Sequence, residues 1–146
     1  MKQSSHIVWD WNGTIVNDTW LFVELMNRIL KNRGLGLINE TDYRNLFCFP
    51  LEKYYQKLGF DFKKEPYEVP SMDFIKLYDE NKYRPLLFHG IIEILSSVRS
   101  LNNYNYLLSA QNHTSLRELV NFYQLAPYFS SISGTANFHA RGKNVL

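Results

Sequence analysis

The sequence is poor in cysteine, in long apolar runs and in charge of one sign, and each shortage excludes something. A lone cysteine, Cys48, leaves no partner for an internal disulfide and no cysteine cluster for zinc. No apolar stretch approaches the roughly 18 residues that a membrane-spanning helix needs. The opening Met1-Lys2-Gln3-Ser4-Ser5-His6 lacks the apolar segment of a signal peptide. Net charge is only +2 and no lysine–arginine block occurs, which argues against nucleic acid as a partner. Internal repeats and low-complexity tracts are also missing. The expectation is a cytoplasmic chain that engages neither membrane nor nucleic acid.

Apolar side chains are plentiful. They make up 45% of the 146 residues, and aromatics 16%, enough for a real core and too much for disorder. The length suits one domain with room for a small inserted subdomain.

The stretch from His6 to Asp18 organises the rest. Ile7, Val8 and Trp9 run straight into Asp10, then come turn residues at Asn12-Gly13 and a β-branched pair at Thr14-Ile15. A short apolar run that stops at a carboxylate reads as a buried strand presenting an acid at its C-terminal end. In open α/β sheets ligands bind in the crevice at the carboxyl ends of the strands. Asp10 is therefore the first candidate for chemistry, although an isolated Asp-x-Asn-Gly serves equally well as a turn cap.

Helical spacing follows. Trp20–Leu30 reads as a helix with Asp18 or Thr19 as N-cap and Gly34 as stop. A second helix starts at Asn39-Glu40-Thr41, a third spans Pro50–Leu58, and Phe60–Pro70 reads as a loop. A fourth, capped by Ser71, runs to Tyr83. No further strand is expected in this region. From Pro85 the pattern changes to a helix over Ile91–Leu101, a strand over Tyr104–Leu108, a helix over Thr114–Tyr123 and a strand over Phe129–Ser133. That alternation implies a parallel sheet. The organisation expected is an α/β core of residues 1–17 and 85–146, with residues 18–84 inserted as a helical unit.

Three stretches together carry a family resemblance. Asp10-Trp11-Asn12-Gly13-Thr14 resembles motif I of the haloacid dehalogenase-like superfamily. Tyr106-Leu107-Leu108-Ser109 resembles motif II, and Lys143 in Arg141-Gly142-Lys143 resembles motif III. The wording from Phe47 to Phe62 is similar to the helical cap of the phosphoglycolate-phosphatase-like branch. The resemblance implies a Rossmann-like parallel sheet with an inserted α-helical cap. It implies a Mg²⁺-dependent phosphatase of a small phosphorylated metabolite, working through an aspartyl-phosphate. Asp10 would be nucleophile and metal ligand, and Asn12 a metal ligand through its backbone carbonyl. Trp11, Gly13, Thr14, Ser109 and Ala110 would bind the substrate phosphoryl group, with the Gly13 turn aiming backbone N–H groups at it. Lys143 would hold negative charge near Asp10.

The sequence departs from the pattern twice. Asn12 stands where many relatives carry a second acid, and an amide cannot shuttle protons. After Lys143 no acidic motif IV follows, which implies a C-terminally incomplete core, either a shortened form or one that has given up metal chemistry. Such a sheet would expose an edge open to self-association. The alternative to an enzyme is a non-catalytic protein that keeps the fold to bind a phosphorylated ligand or a protein partner. A response-regulator-like phosphoacceptor fits less well, because a long helical insert follows strand one and Gly13-Thr14 replaces an acidic pair.

Overall fold

The computed structural model describes residues 4–136. The chain divides into two compact units, Met1–Asn17 with Pro85–Leu146, and Asp18–Arg84.

The first unit is a parallel sheet with helices. Its strands are β1 (His6–Trp9), β4 (Tyr104–Asn112) and β5 (Ser131–Thr135), in the order β1-β4-β5. Both pairings are parallel, and the register sets Trp9 beside Leu107 and Leu107 beside Ile132. Helix α5 (Ile91–Ser100) crosses from β1 to β4, and α6 (His113–Phe122) crosses from β4 to β5. Side chains alternate along a strand, so every second residue shares a face. On one face Leu107, with Trp9 and Ile132 beside it, packs with Ile91 and Leu95 of α5 and Leu116, Leu119 and Val120 of α6 in a single core. The other face carries His6, Val8, Tyr104 and Tyr106. Val8 is 61% exposed and Tyr104 45%. His6 stacks on both tyrosines and its Nδ1 lies 3.0 Å from the Tyr106 hydroxyl. Parallel sheets are ordinarily covered on both faces; among the described residues this one is covered on one.

A buried polar residue ties this layer together. Asn105 is fully buried on the core face of β4. Its Oδ1 accepts from the Trp9 indole N–H at 2.9 Å. Its Nδ2 donates to the Leu95 carbonyl at 3.0 Å and to the Tyr128 carbonyl at 3.2 Å. One amide thus links β1, the helix α5 and the short 3-10 turn Ala126–Tyr128 that leads into β5.

Two small strands depart from the expectation of none between β1 and the core's return. β2 (Val16–Asn17) pairs antiparallel with β3 (Leu86–Leu87). Two residues are too few to leave a period-2 signature, so patterning could not show them. β4 runs on to Asn112 rather than stopping at Leu108. β5 begins at Ser131, because Ala126–Tyr128 closes a turn first.

The second unit is helical. Its elements are α1 (Thr19–Asn32), α2 (Glu40–Leu46), α3 (Leu51–Lys57) and α4 (Glu68–Asn81). Met26, Ile29 and Leu30 of α1 pack on Tyr54, Tyr55, Leu58, Phe60 and Tyr67. Asn39 starts α2 with a reciprocal capping box, its Oδ1 accepting from the Asp42 N–H while Asp42 accepts from the Asn39 N–H. Asp18 precedes α1 but makes no side-chain cap bond. Ser71 does not cap α4 either. That helix already starts at Glu68, because Pro70 sits in the first turn, where N–H groups have no intrahelical partner to lose. Arg33 is held by Glu65 at 2.6 Å and Asp73 at 2.8 Å. Arg84 pairs both guanidinium nitrogens with Glu24 at 3.0 Å and lies over the Trp20 ring.

Two expectations follow. Asn105→Leu strands the Trp9 donor and two carbonyls in the core, so stability should fall by about 3 kcal/mol or more, read as a lower urea midpoint. The hydrogen bond from Arg84 lowers the Glu24 pKa below the ordinary glutamate value. A depressed folded-state pKa gives stability that is present above the unfolded value and is lost as pH falls through the folded one. A carboxyl-carbon NMR titration should show Glu24 ionised to lower pH than a free glutamate, and Arg84→Ala should return it toward the ordinary value.

Candidate active site

β1 ends beside the middle of β4, and the register decides what meets there. Since Trp9 pairs with Leu107, Asp10 follows level with Leu108, and Ser109 is the next residue along. Asp10 is half-buried and Ser109 is fully buried. A carboxylate and a hydroxyl on adjacent parallel strands thus reach the same end of the sheet.

After Asp10 the chain turns tightly. The Trp11 carbonyl accepts from the Thr14, Ile15 and Val16 N–H groups at 3.0–3.3 Å, and the Gly13 N–H donates to the Val16 carbonyl at 3.0 Å. Gly13 has φ +69°, which glycine adopts without a Cβ penalty. The Gly13 and Thr14 amides therefore hold the turn closed, whereas the sequence reading aimed the turn's N–H groups at a phosphoryl group. The Trp11 side chain points into the core. It is fully buried, its ring centroid 6.0 Å from that of Tyr123, and its indole N–H has no hydrogen-bond partner among the described residues. Only its backbone is placed to reach a ligand at the strand end.

On the β4 side the strand is bulged. Leu108 pairs with Ser133 and Asn112 with Thr135, so the four steps along β4 oppose two along β5. Bulges re-aim side chains and recur beside active sites. Here Ser109 Oγ accepts from the Gln111 N–H at 3.1 Å, leaving the hydroxyl proton for donation elsewhere. The Ala110 carbonyl accepts from the Thr135 hydroxyl at 3.2 Å. Asn112 caps α6, its Oδ1 accepting from the Thr114 and Ser115 N–H groups. His113 Nδ1 accepts from the Gly134 N–H at 3.2 Å, which puts the proton of the neutral ring on Nε2.

Gln111 joins the two sides, and the sequence reading passed over it. Asn12 Nδ2 donates to Gln111 Oε1 at 3.5 Å, the long end of the range, and Gln111 Nε2 donates to Ser115 Oγ at 3.2 Å. The position where relatives resembling motif I carry an acid is thus linked, amide to amide, to the first turn of α6. Asp10 and Asn12 follow β1, Ser109 and Ala110 lie in the neighbouring strand β4 just past the last residue paired with β1, Leu107, and Lys143 lies outside the described residues. His89 is exposed on the loop before α5 and takes no part. Among the described residues no group of three or more His, Cys, Asp and Glu is arranged to hold a metal ion. No helix among them is long and apolar enough to cross a membrane.

An open parallel sheet, with crossover helices and polar groups gathered at its strand ends, defines an α/β protein of the Rossmann-like class. The family follows from the sequence: the chain belongs to the haloacid dehalogenase-like hydrolases, whose model matches residues 7–143. No curated protein matches it by sequence. Among solved structures it is similar to a haloacid dehalogenase-like family hydrolase from Streptococcus pneumoniae, with 18% identity over 98% of this chain and 66% of that one, TM-score 0.78. A predicted phosphoglycolate phosphatase from Haemophilus somnus shares 17% identity over 92% of this chain and 64% of its own, TM-score 0.75. Protein tyrosine kinase A of Mycobacterium tuberculosis shares 15% identity over 94% and 62%, TM-score 0.79. These likenesses concern the fold, and the chain spans less than two thirds of the length of each of the three.

Gly134 sets how closely β5 approaches the bulge. A Cβ there would lie 2.7 Å from the Gln111 carbonyl oxygen and 2.8 Å from His113 Cα, both backbone atoms that cannot swing aside. Gly134→Ala should therefore cost about 1–3 kcal/mol and shift the amide resonances of Gln111 and His113 in a heteronuclear NMR spectrum.

Proposed function

We propose that the chain is a phosphatase of a small phosphorylated metabolite that works through an aspartyl-phosphate on Asp10. The observation that supports this reading is the register, in which Trp9 pairs with Leu107, so that Asp10 follows one strand and Ser109 lies two residues further along the other. Family membership supports it. Asp10 would attack phosphorus, and Ser109 would donate its hydroxyl to a phosphoryl oxygen, where a fixed donor favours developing charge. The Ala110 N–H and Lys143 would share that charge. The helical unit of residues 18–84 would serve as the cap that selects the substrate.

Magnesium suits the donors. It binds through one or two carboxylates and carbonyl oxygens, completing its shell with water and substrate phosphate. The Asp10 carboxylate and the Asn12 backbone carbonyl are oxygen donors of that kind, and the metal would neutralise charge between nucleophile and phosphate.

A second reading has its own observation. The Asn12–Gln111 amide pair places a group that cannot exchange protons beside Asp10, as expected of a protein that binds a phosphorylated ligand without turning it over. A kinase among the structural neighbours also shows that likeness of fold does not fix the reaction.

Phosphate release from a panel of small phosphoesters, with and without Mg²⁺, separates the two. The phosphatase reading expects metal-dependent turnover that falls by at least about 10³-fold in Asp10→Asn. Calorimetric titration with Mg²⁺ alone should give binding that the same variant weakens. A folded chain with no turnover but saturable phosphate binding would sink the enzyme and leave the binding protein.

A further inference from the structure

Resting on the phosphatase reading above, we infer that this site takes phosphoryl donors whose leaving group departs as a weakly basic anion, acyl phosphates foremost. An alkyl phosphate expels an alkoxide, which must be protonated as it leaves, so a general acid is needed beside the bond. A carboxylate leaves as a stable anion and needs no proton.

The residues at the strand ends are matched to the second case. Between Asp10 and Thr14 and between Ser109 and Ser115, the side chains of acid–base type are Asp10 and His113. Asp10 is the proposed nucleophile. His113 is turned toward β5, with Nδ1 accepting from the Gly134 N–H. The remaining polar groups are amides and hydroxyls. Asn12, where an acid would stand, is built into the structure: it donates to Gln111 Oε1, and Gln111 donates onward to Ser115. These contacts hold in place an amide, which can donate a hydrogen bond and cannot serve as a general acid.

The energetics agree with the chemistry. An Asp10 oxygen bonds to phosphorus while the phosphorus–oxygen bond to the leaving carboxylate breaks, and that carboxylate keeps the electron pair. The product on Asp10 is itself an acyl phosphate, so the exchange is between equals, whereas transfer from an alkyl ester runs uphill. Water then bonds to phosphorus and the bond to Asp10 breaks. The Asp10 carboxylate is restored, with the water's protons passing to phosphate and solvent.

The test compares acetyl phosphate with glycerol phosphate on the full chain in Mg²⁺. Phosphate release is measured, and phosphorylation of Asp10 is read by mass spectrometry after acid quenching, with Asp10→Asn as control. Acetyl phosphate should label Asp10 and be turned over at least about 10²-fold faster than the alkyl ester. In Asn12→Asp that ratio should shrink by about 10²-fold, as the alkyl ester gains an acid. If Asn12→Asp does not fold, a series of aryl phosphates on the parent chain decides, with rates rising steeply as the leaving phenol becomes more acidic. Equal turnover of both donors, or a flat aryl series, overturns the inference while the phosphatase reading stands. A folded chain in which neither donor labels Asp10 overturns both.

Discussion

The arrangement of the α/β unit hangs on one buried amide. Asn105 accepts from Trp9 and donates to the carbonyls of Leu95 and Tyr128, so both ends of its side chain are satisfied without water. A polar group in such a place is costly unless every bond is made, and when made the bonds admit one arrangement. The bond to Trp9 fixes β1 against β4 in the register that makes Asp10 and Ser109 neighbours. The bonds to Leu95 and Tyr128 fix the middle of α5 and the turn before β5 against the strand. Apolar packing around Leu107 would accept small slips; the amide does not.

The same restraint shapes the site. The turn after Asp10 spends its amides on its own closure, and the N-terminus of α6 spends two of its amides on Asn112. The groups proposed to meet a ligand are the Asp10 carboxylate, the Ser109 hydroxyl and the Ala110 N–H, with Lys143 outside the described residues. Gly134 lets β5 come close enough for its backbone N–H to hold the His113 ring.

Much of this was legible before any coordinates. An apolar run ending in Asp10 announces the end of β1, and the apolar run before Ser109 announces β4 but not its extent, since that strand continues to Asn112. Three-residue spacing from Trp20 onward announces helices. Asn105 left a trace as well: between Tyr104 and Tyr106 it falls in phase with Leu107, a polar residue on a core face. Other features leave no trace in patterning. The β2–β3 pair is too short to show a period. Gln111 acquires its part from a bulge and from side-chain geometry, neither of which its residue type implies. The start of α4 was misjudged because Pro70 reads as a loop residue, while the first helical turn tolerates it.

The bond from Trp9 to Asn105 spans 96 residues, and an entire helical unit lies between its ends. On the ribosome β1 emerges first and has no sheet partner until β4 follows. By then the whole of the intervening helical unit has emerged. Assembly of the sheet must await a closure of high sequence separation, the kind that is slow and leaves apolar strands exposed in the interval. The insertion that separates the motifs in sequence thus also lengthens the loop that must close before Trp9 and Asn105 can meet in one sheet.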